Sequence, residues 1–309
     1  MKELMHGKIL RMLLVLVFLV SCSGHDESKS EKKRSNGGFI AEHVVFIGFD
    51  GWGAYCMDDI KIPNMRKLMD DGCYTLKRKT ELPSISSPNW SAIFCGAPIA
   101  FTGYSANGSK PNMEPAYTNS RGYFPSIFTL MHEQIPSSQT ICIHEWYGIK
   151  PLIDPDIVDI CVKKTEAEIT PLACEYIKNF QPELLALVYD HPDWEGHNIG
   201  HGTAEYLAKM EVLDGYVGEI IAALKQAGIY EKTIIIITSD HGGINKSHGG
   251  NTPDEMNTPF IISGKNVKKG GEFSQPMMTY DVTHTIAEIF GLRTPEYWRG
   301  TSMSHVFEN

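Results

Sequence analysis

The stretch best equipped for chemistry is Ile234 to Gly250, reading IIIITSDHGGINKSHGG. Its isoleucine run ends at Asp240 and His241, then turns through Gly242 and Gly243, and His248 follows between Ser247 and Gly249. Adjacent residues in an extended strand point to opposite faces. Asp240 and His241 therefore serve one centre only where the chain turns, which the glycines permit. Carboxylate oxygen mixed with imidazole nitrogen suits Zn2+, whereas Mg2+ and Ca2+ sites seldom use so much histidine. Taken alone, the stretch also fits a strand end followed by a polar loop. A second pair, Asp193 and His197, lies four residues apart in DHPDWEGHNIGH, a spacing that brings both to one side of a helical turn. Asp190, His191 and His201 lie so close that local sequence does not separate ligands from neighbours. Asp50 ends the run HVVFIGFD, and PSISSPNW offers Ser84, Ser86 and Ser87 as hydroxyl nucleophiles. A hydroxyl at a helix start lies near exposed backbone N–H groups and the positive end of the dipole, which favour a phosphoryl group.

These groups need a frame that brings them together. His43 to Asp50, Thr140 to Trp146, Asp156 to Val162, Leu184 to Tyr189, the Ile234 run and Thr258 to Ser263 have the pattern of buried strands, and Cys73 to Leu82 is a further strand. Ile62 to Gly72 predicts a helix with Pro63 in its first turn and Gly72 as its stop. Pro88 suits the first turn of another helix, with Ser87 as its cap. Thr165 to Phe180 predicts a helix whose first half Pro171 is expected to break. Thr203 to Ala227 carries an apolar stripe through Leu213, Val217, Ile220 and Leu224, and Asp281 to Phe290 turns Val282, Ile286 and Ile289 inward, with His284 structural. Strands alternate with helices, so the expected fold class is α/β, with a mainly parallel central sheet covered by helices on both faces. Asp50, Asp193 and Asp240 then stand beyond the carboxyl ends of strands, where open α/β sheets gather functional groups.

The chain has 309 residues, 42% of them apolar, and a formal net charge of -9. That charge argues against a nucleic-acid duplex as partner. Residues 1–21 join Lys2, Lys8 and Arg11 to the apolar MLLVLVFLV, the pattern of a secretory signal too short to span a bilayer. Leu19-Val20-Ser21-Cys22 resembles the lipobox of bacterial lipoproteins, in which the cysteine is lipidated and becomes the first mature residue. The expectation is an exported protein, lipid-anchored at a bacterial cell envelope, whose N-terminal anchor makes the membrane a partner. Residues 22–40 are charged and read as a flexible tether, leaving 41–309 as a single catalytic domain. Cys56, Cys73, Cys95, Cys142, Cys161 and Cys174 remain. Export permits disulfides among them, and sequence does not choose the pairing.

GFDGW at Gly48, SSPNWSAIFCG at Ser86, PDWEGH at Pro192, TSDHGG at Thr238 and HGG at His248 together resemble the alkaline phosphatase superfamily, and within it the type I phosphodiesterase and nucleotide pyrophosphatase family. The resemblance covers nearly everything from His43 to Ser304 and implies an alkaline-phosphatase-like fold with two divalent metal ions, Zn2+ being the favoured identity. It implies one ion held by Asp193, His197 and His248, and a second held by Asp50, Asp240, His241 and the nucleophile. The family's nucleophile stands three residues before the Asn of a Pro-Asn pair, which selects Ser86; nucleotide pyrophosphatases usually carry threonine there. The family asparagine that contacts the phosphoryl oxygen matches Asn107, although the His-Gly that usually precedes it reads Thr102-Gly103.

The implied function is hydrolysis of a small-molecule phosphate ester through a phosphoserine at Ser86. Monoester phosphatases of the superfamily place an arginine on the extra phosphate charge. None occurs between Leu82 and Arg121, which tilts the reading toward diesters, with Arg78 able to intrude from elsewhere. Trp52, Tyr104, Trp146, Tyr147 and Trp194 lie near the motifs and carry no assigned role. Sulfatases share the fold but need Cys or Ser two residues before a proline and Arg two after it. Ser86 and Pro88 fit, and Trp90 stands in the arginine's place. The same residues would also serve a phosphotransferase, which passes the phosphoryl group to an acceptor alcohol, or a non-catalytic lipid-anchored metal-binding protein.

Overall fold

Along the chain come β1 (His43–Asp50), α1 (Pro63–Asp70), β2 (Cys73–Lys79), α2 (Ser86–Cys95), α3 (Ile99–Thr102), α4 (Ile127–Gln134), β3 (Thr140–His144), β4 (Ile160–Lys163), α5 (Glu166–Phe180), β5 (Leu184–Pro192), α6 (Asp193–Asn198), α7 (Ala204–Gln226), β6 (Thr233–Thr238), α8 (Pro253–Met256), β7 (Asn257–Gly264), β8 (Gly271–Glu272) and α9 (Asp281–Ile289). The structure is a computed structural model that describes residues 38–308. The signal segment, Cys22 and the tether up to residue 37 lie outside the described residues. Among the described residues, no helix is long and apolar enough to cross a membrane.

The strands form one sheet of order β4-β3-β5-β1-β6-β7-β2-β8. From β4 to β6 every neighbouring pair is parallel, and β7 runs antiparallel to both β6 and β2. Period-2 alternation splits the core in two. On β1 and β6, Val44, Phe46, Ile234 and Ile236 face a layer that includes α2, α4 and α9. Val45, Ile47, Phe49, Ile235 and Ile237 face the layer of α1, α5 and α7. Each of the four isoleucines is at most 2% exposed, and burying such a side chain contributes roughly 2 kcal/mol. The fully hydrophobic run is therefore a central strand covered on both sides, and the α/β expectation holds.

Two local expectations are corrected. Ser87 does not cap α2: Ile85 occupies that position in extended conformation and Ser86 is the first helical residue. Ser87 is instead drawn into tertiary bonds, its N–H donating to Asn107 Oδ1 and its Oγ accepting from Gly108 N. Nor does Pro171 break α5, which runs unbroken behind a Thr165/Glu168 capping box. An interior proline costs about 3 kcal/mol, but burial of Ile169 and Ile177 returns roughly 2 kcal/mol each.

Candidate active site

The two central strands β1 and β6 deliver the first group. Asp50 is the last residue of β1, and Asp240 and His241 follow the end of β6. The three offer ligand atoms lying within 4.8 Å of one another, and all are buried. Gly51 makes the turn: its φ is +71°, and a Cβ there would lie 2.5 Å from Asp193 Oδ1. Its N–H donates to Asp240 Oδ1 at 3.1 Å. Trp90 Nε1 donates to Asp50 Oδ2 at 2.8 Å. His241 Nδ1 donates to the Gly242 carbonyl at 2.8 Å, leaving Nε2 facing Asp240 Oδ2 at 3.3 Å and Asp50 Oδ1 at 3.4 Å. Burial raises both carboxyls well above their ordinary range, Asp50 further through the neighbouring Asp240 charge. Burial also drives the His241 imidazole well down.

The second group is Asp193, His197 and His248, again with ligand atoms within 4.8 Å of one another. Asp193 and His197 share one face of the short helix α6, as their spacing required. His197 Nε2 lies 3.2 Å from Asp193 Oδ2 and 3.0 Å from His248 Nε2. The rings are aimed from behind, His197 Nδ1 donating to the Lys246 carbonyl at 3.1 Å and His248 Nδ1 to the Ser84 carbonyl at 2.9 Å. The Asp193 hydrogen bond lifts His197 to about 9. Burial pushes the Asp193 carboxyl up, but His197, His241 and His248 together hold it below its ordinary value. The His241 and His248 rings stack at 3.8 Å between centroids, which brings the two groups side by side.

Ser86 stands against the first group, its Oγ 3.3 Å from His241 Nε2. Of the three serines only Ser86 lines the cleft, which measures about 290 Å³ and is lined also by Asn107, Trp146, Asp190, Asp193, Trp194, His197, Asn198 and His248. Ser84 Oγ donates to the Gly250 carbonyl and accepts from Gly249 N, fixing the His248 loop. The Ser87 N–H donates to Asn107 Oδ1 at 2.8 Å, which fixes the carbonyl end of the Asn107 amide, and Asn107 lines the cleft. Among the described residues, no arginine or lysine lines the cleft. Arg78 lies fully buried behind it, its guanidinium donating to the Ser239 carbonyl and Thr279 Oγ1. Asp190, which does line it, is pushed up to about 7 by burial and then by the Asp193 and Glu145 charges.

Divalent cations fit both groups. Asp50 Oδ1, Asp240 Oδ2 and Asp193 Oδ1 are buried acceptors without a hydrogen-bond partner, an arrangement that is costly unless a cation compensates it. His197, His241 and His248 each donate from Nδ1 to a backbone carbonyl. That fixes the tautomer whose Nε2 lone pair ligates a metal.

Local sequence left Asp190, His191 and His201 undivided, and the structure separates them. His191 turns away to Glu195 at 2.8 Å and Glu166 at 3.3 Å. His201, with its side chain fully buried, lies 3.6 Å from Asp193 Oδ1. It packs so closely on Gly243 that a Cβ there would come within 2.3 Å of the ring. Sequence reasoning missed the partnership of Trp90 with Asp50. The indole's placement three residues beyond Ser87, on the buried helix α2, was the available signal. Among the aromatics, Trp146 and Trp194 flank the cleft, whereas Trp52 is core.

A family model described as type I phosphodiesterase / nucleotide pyrophosphatase matches residues 44–289. Bis(5'-adenosyl)-triphosphatase ENPP4 of Bos taurus is 21% identical over 248 residues, covering 76% of this chain and 52% of that protein. Arylsulfatase K of Danio rerio is 33% identical over 106 residues, covering 30% of this chain and 20% of that protein. The chain thus spans about half the length, or less, of these curated relatives. Among solved structures, murine ectonucleotide pyrophosphatase / phosphodiesterase 5 superposes with a TM-score of 0.72 at 13% identity, covering 86% of this chain and 100% of that one. An inactive form of that protein has been solved in complex with AMP. A phosphonate monoester hydrolase from Silicibacter pomeroyi superposes with a TM-score of 0.67 at 16% identity, covering 86% and 76%.

Proposed function

Because this chain belongs to the type I phosphodiesterase / nucleotide pyrophosphatase family, we propose that it is a metal-dependent phosphoric ester hydrolase that acts on diesters or nucleotide pyrophosphates through a phosphoserine at Ser86. The observation that carries this reading is the placement of the Ser86 hydroxyl at the start of α2, facing His241 and opening into the cleft beside both Asp/His groups. Asp50, Asp240 and His241 would hold one cation and Asp193, His197 and His248 the other, and Zn2+ suits this donor set. When bound, the cations supply positive charge that favours the serine alkoxide on one side and the departing oxygen on the other.

The chain's own residues do the rest. Ser86 Oγ attacks phosphorus, its proton passing into the open cleft, and the bond to the leaving alcohol or phosphate breaks. Asn107, its carbonyl end fixed by the Ser87 N–H, presents its amide N–H groups to a non-bridging oxygen as charge grows there. Water then cleaves the serine ester and restores the hydroxyl.

The cleft lining favours diesters. A terminal phosphate carries an extra charge, and the lining offers it Asp190 but neither arginine nor lysine. The sulfatase reading is weakened at Trp90, which fills the arginine position with an indole donating to Asp50. On sequence alone, the lipobox ending at Cys22 supports export and lipid anchoring at the cell envelope. Labelling with a radioactive fatty acid and loss of label in Cys22→Ser test that part.

For the activity, metal-loaded protein is assayed against an aryl phosphate diester, an aryl monophosphate, an aryl phosphonate and an aryl sulfate. The expected result is fastest turnover of the diester, with loss in Ser86→Ala. Turnover of sulfate alone, or of none of the four, refutes the proposal.

A further inference from the structure

Cys142 and Cys161 lie opposite one another in the parallel pairing of β3 with β4. In-register residues of neighbouring strands point to the same face, and the interstrand spacing of about 4.8 Å falls within the Cα separation that a disulfide spans. His144 is two residues beyond Cys142 and so shares that face. Its Nδ1 donates to the Trp146 carbonyl at 2.9 Å. Its Nε2 is buried without a hydrogen-bond partner. Cys142 and His144 are at most 1% exposed, whereas Cys161 is only partly buried and open to reagents. The Cys142 thiol, by donating to it, holds the Cys161 thiol well below its ordinary range; the His144 ring and Lys150 help against the cost of burial. Cys174, also only partly buried, is shifted the other way by burial.

We propose that Cys161 and Cys142 are a reactive dithiol pair, Cys161 the attacking sulfur and Cys142 the resolving one, which closes to a cross-strand disulfide on meeting a small-molecule or protein disulfide. The Cys161 thiolate attacks one sulfur of that oxidant, forms a mixed disulfide and releases the first thiol. Cys142 then gives up its proton and displaces the second thiol from Cys161. Two cysteines are oxidised, one external disulfide is reduced to two thiols, and both protons end on those thiols. β4 is the terminal strand of the sheet, so the new bond pins an edge.

The test uses the folded full-length chain, oxidised glutathione as probe, and peptide mass mapping after alkylation. The expected product joins the Cys142 and Cys161 peptides and leaves Cys56, Cys73, Cys95 and Cys174 as thiols. In Cys142→Ser, glutathione stays on Cys161; in Cys161→Ser, Cys142 remains unreacted. Without oxidant, iodoacetamide at pH 6 labels Cys161 about tenfold faster than Cys174, and His144→Gln reduces that advantage. Should either serine variant fail to fold, the wild-type mapping and the labelling ratio still decide. Persistence of both thiols in glutathione, or equal labelling of Cys161 and Cys174, overturns the proposal. Glutathione retained on wild-type Cys161 overturns the resolving role of Cys142.

Discussion

The two Asp/His groups share residue types and differ in electrostatic state. In the Asp50/Asp240/His241 group every side chain is at most 1% exposed. There burial leads in raising the carboxyls and lowering the imidazole, so all three are held toward neutrality. In the Asp193/His197/His248 group, the His197 side chain is 47% exposed and pairs as a cation with Asp193. The first group stands at the ends of central strands and the second on a six-residue helix and a loop. The buried position keeps Asp50 Oδ1 and Asp240 Oδ2 as acceptors without a hydrogen-bond partner, which a divalent ion would satisfy. At the other, the hydrogen bond to Asp193 favours the protonated His197 ring in the metal-free protein. On the proposed function, the buried group would set the nucleophile, and the open group would govern exchange and pH response.

The largest effect that tests this contrast is at Ser86, which leans on the buried group. Ser86→Ala is expected to lower kcat about 10⁴-fold or more while metal content at both groups is retained, measured by kinetics and metal analysis on one sample. Loss of metal in that variant would make the hydroxyl structural. Next comes Asp240→Asn, expected to cost about 10³-fold, the scale of several kcal/mol of charge stabilisation, without rescue by excess metal. In chelator the same variant melts close to wild type, because burial already holds the Asp240 carboxyl toward its neutral form. His197→Ala should instead weaken metal binding by about 100-fold, since disturbing only the bonds behind a ligand already costs tenfold or more. Excess metal restores its turnover. A reversal of these two behaviours breaks the contrast. Smaller still is the kinetic difference: on chelation one equivalent of metal is expected to leave about tenfold faster than the other. His197→Ala removes that fast phase, and a single phase in wild type contradicts it.

Much of this was legible in the sequence because it depends on local signals. The isoleucine run before Asp240, the valine-rich run before Asp50 and the fourfold spacing of Asp193 and His197 each encode a strand end or a helical face. What stayed hidden depends on contacts between distant segments. Ser84, Ser86 and Ser87 are equivalent by local rules, and only the return of the chain at Gly250, His241 and Asn107 gives each a different partner. Ser87 misled as a helix cap for that reason, and Pro171 misled because tertiary burial outweighed its local cost. The Cys142–Cys161 pairing needs the register of two strands, which no spacing within the chain encodes.

The smallest effect is a pH slope in the metal-free protein, and its sign follows from His197. Its pKa in the folded state, about 9, lies above the ordinary value of 6.5. Folding therefore gains from the protonated ring; the gain is complete below the unfolded value and is lost as pH rises through about 9. The raised Asp50 and Asp240 carboxyls act in the same direction, because their stabilising protons are also lost as pH rises. The lowered His241 weakens the fold only below its ordinary value and is flat above it. Between pH 7 and 9, melts in chelator should thus show Tm falling by about 2 °C, a modest change because water screens a half-exposed ion pair. His197→Gln should reduce the slope to the part the carboxyls carry. A Tm that rises over this interval, or a slope unchanged in His197→Gln, would place the proton elsewhere and remove the ion pair on which the contrast between the two groups depends.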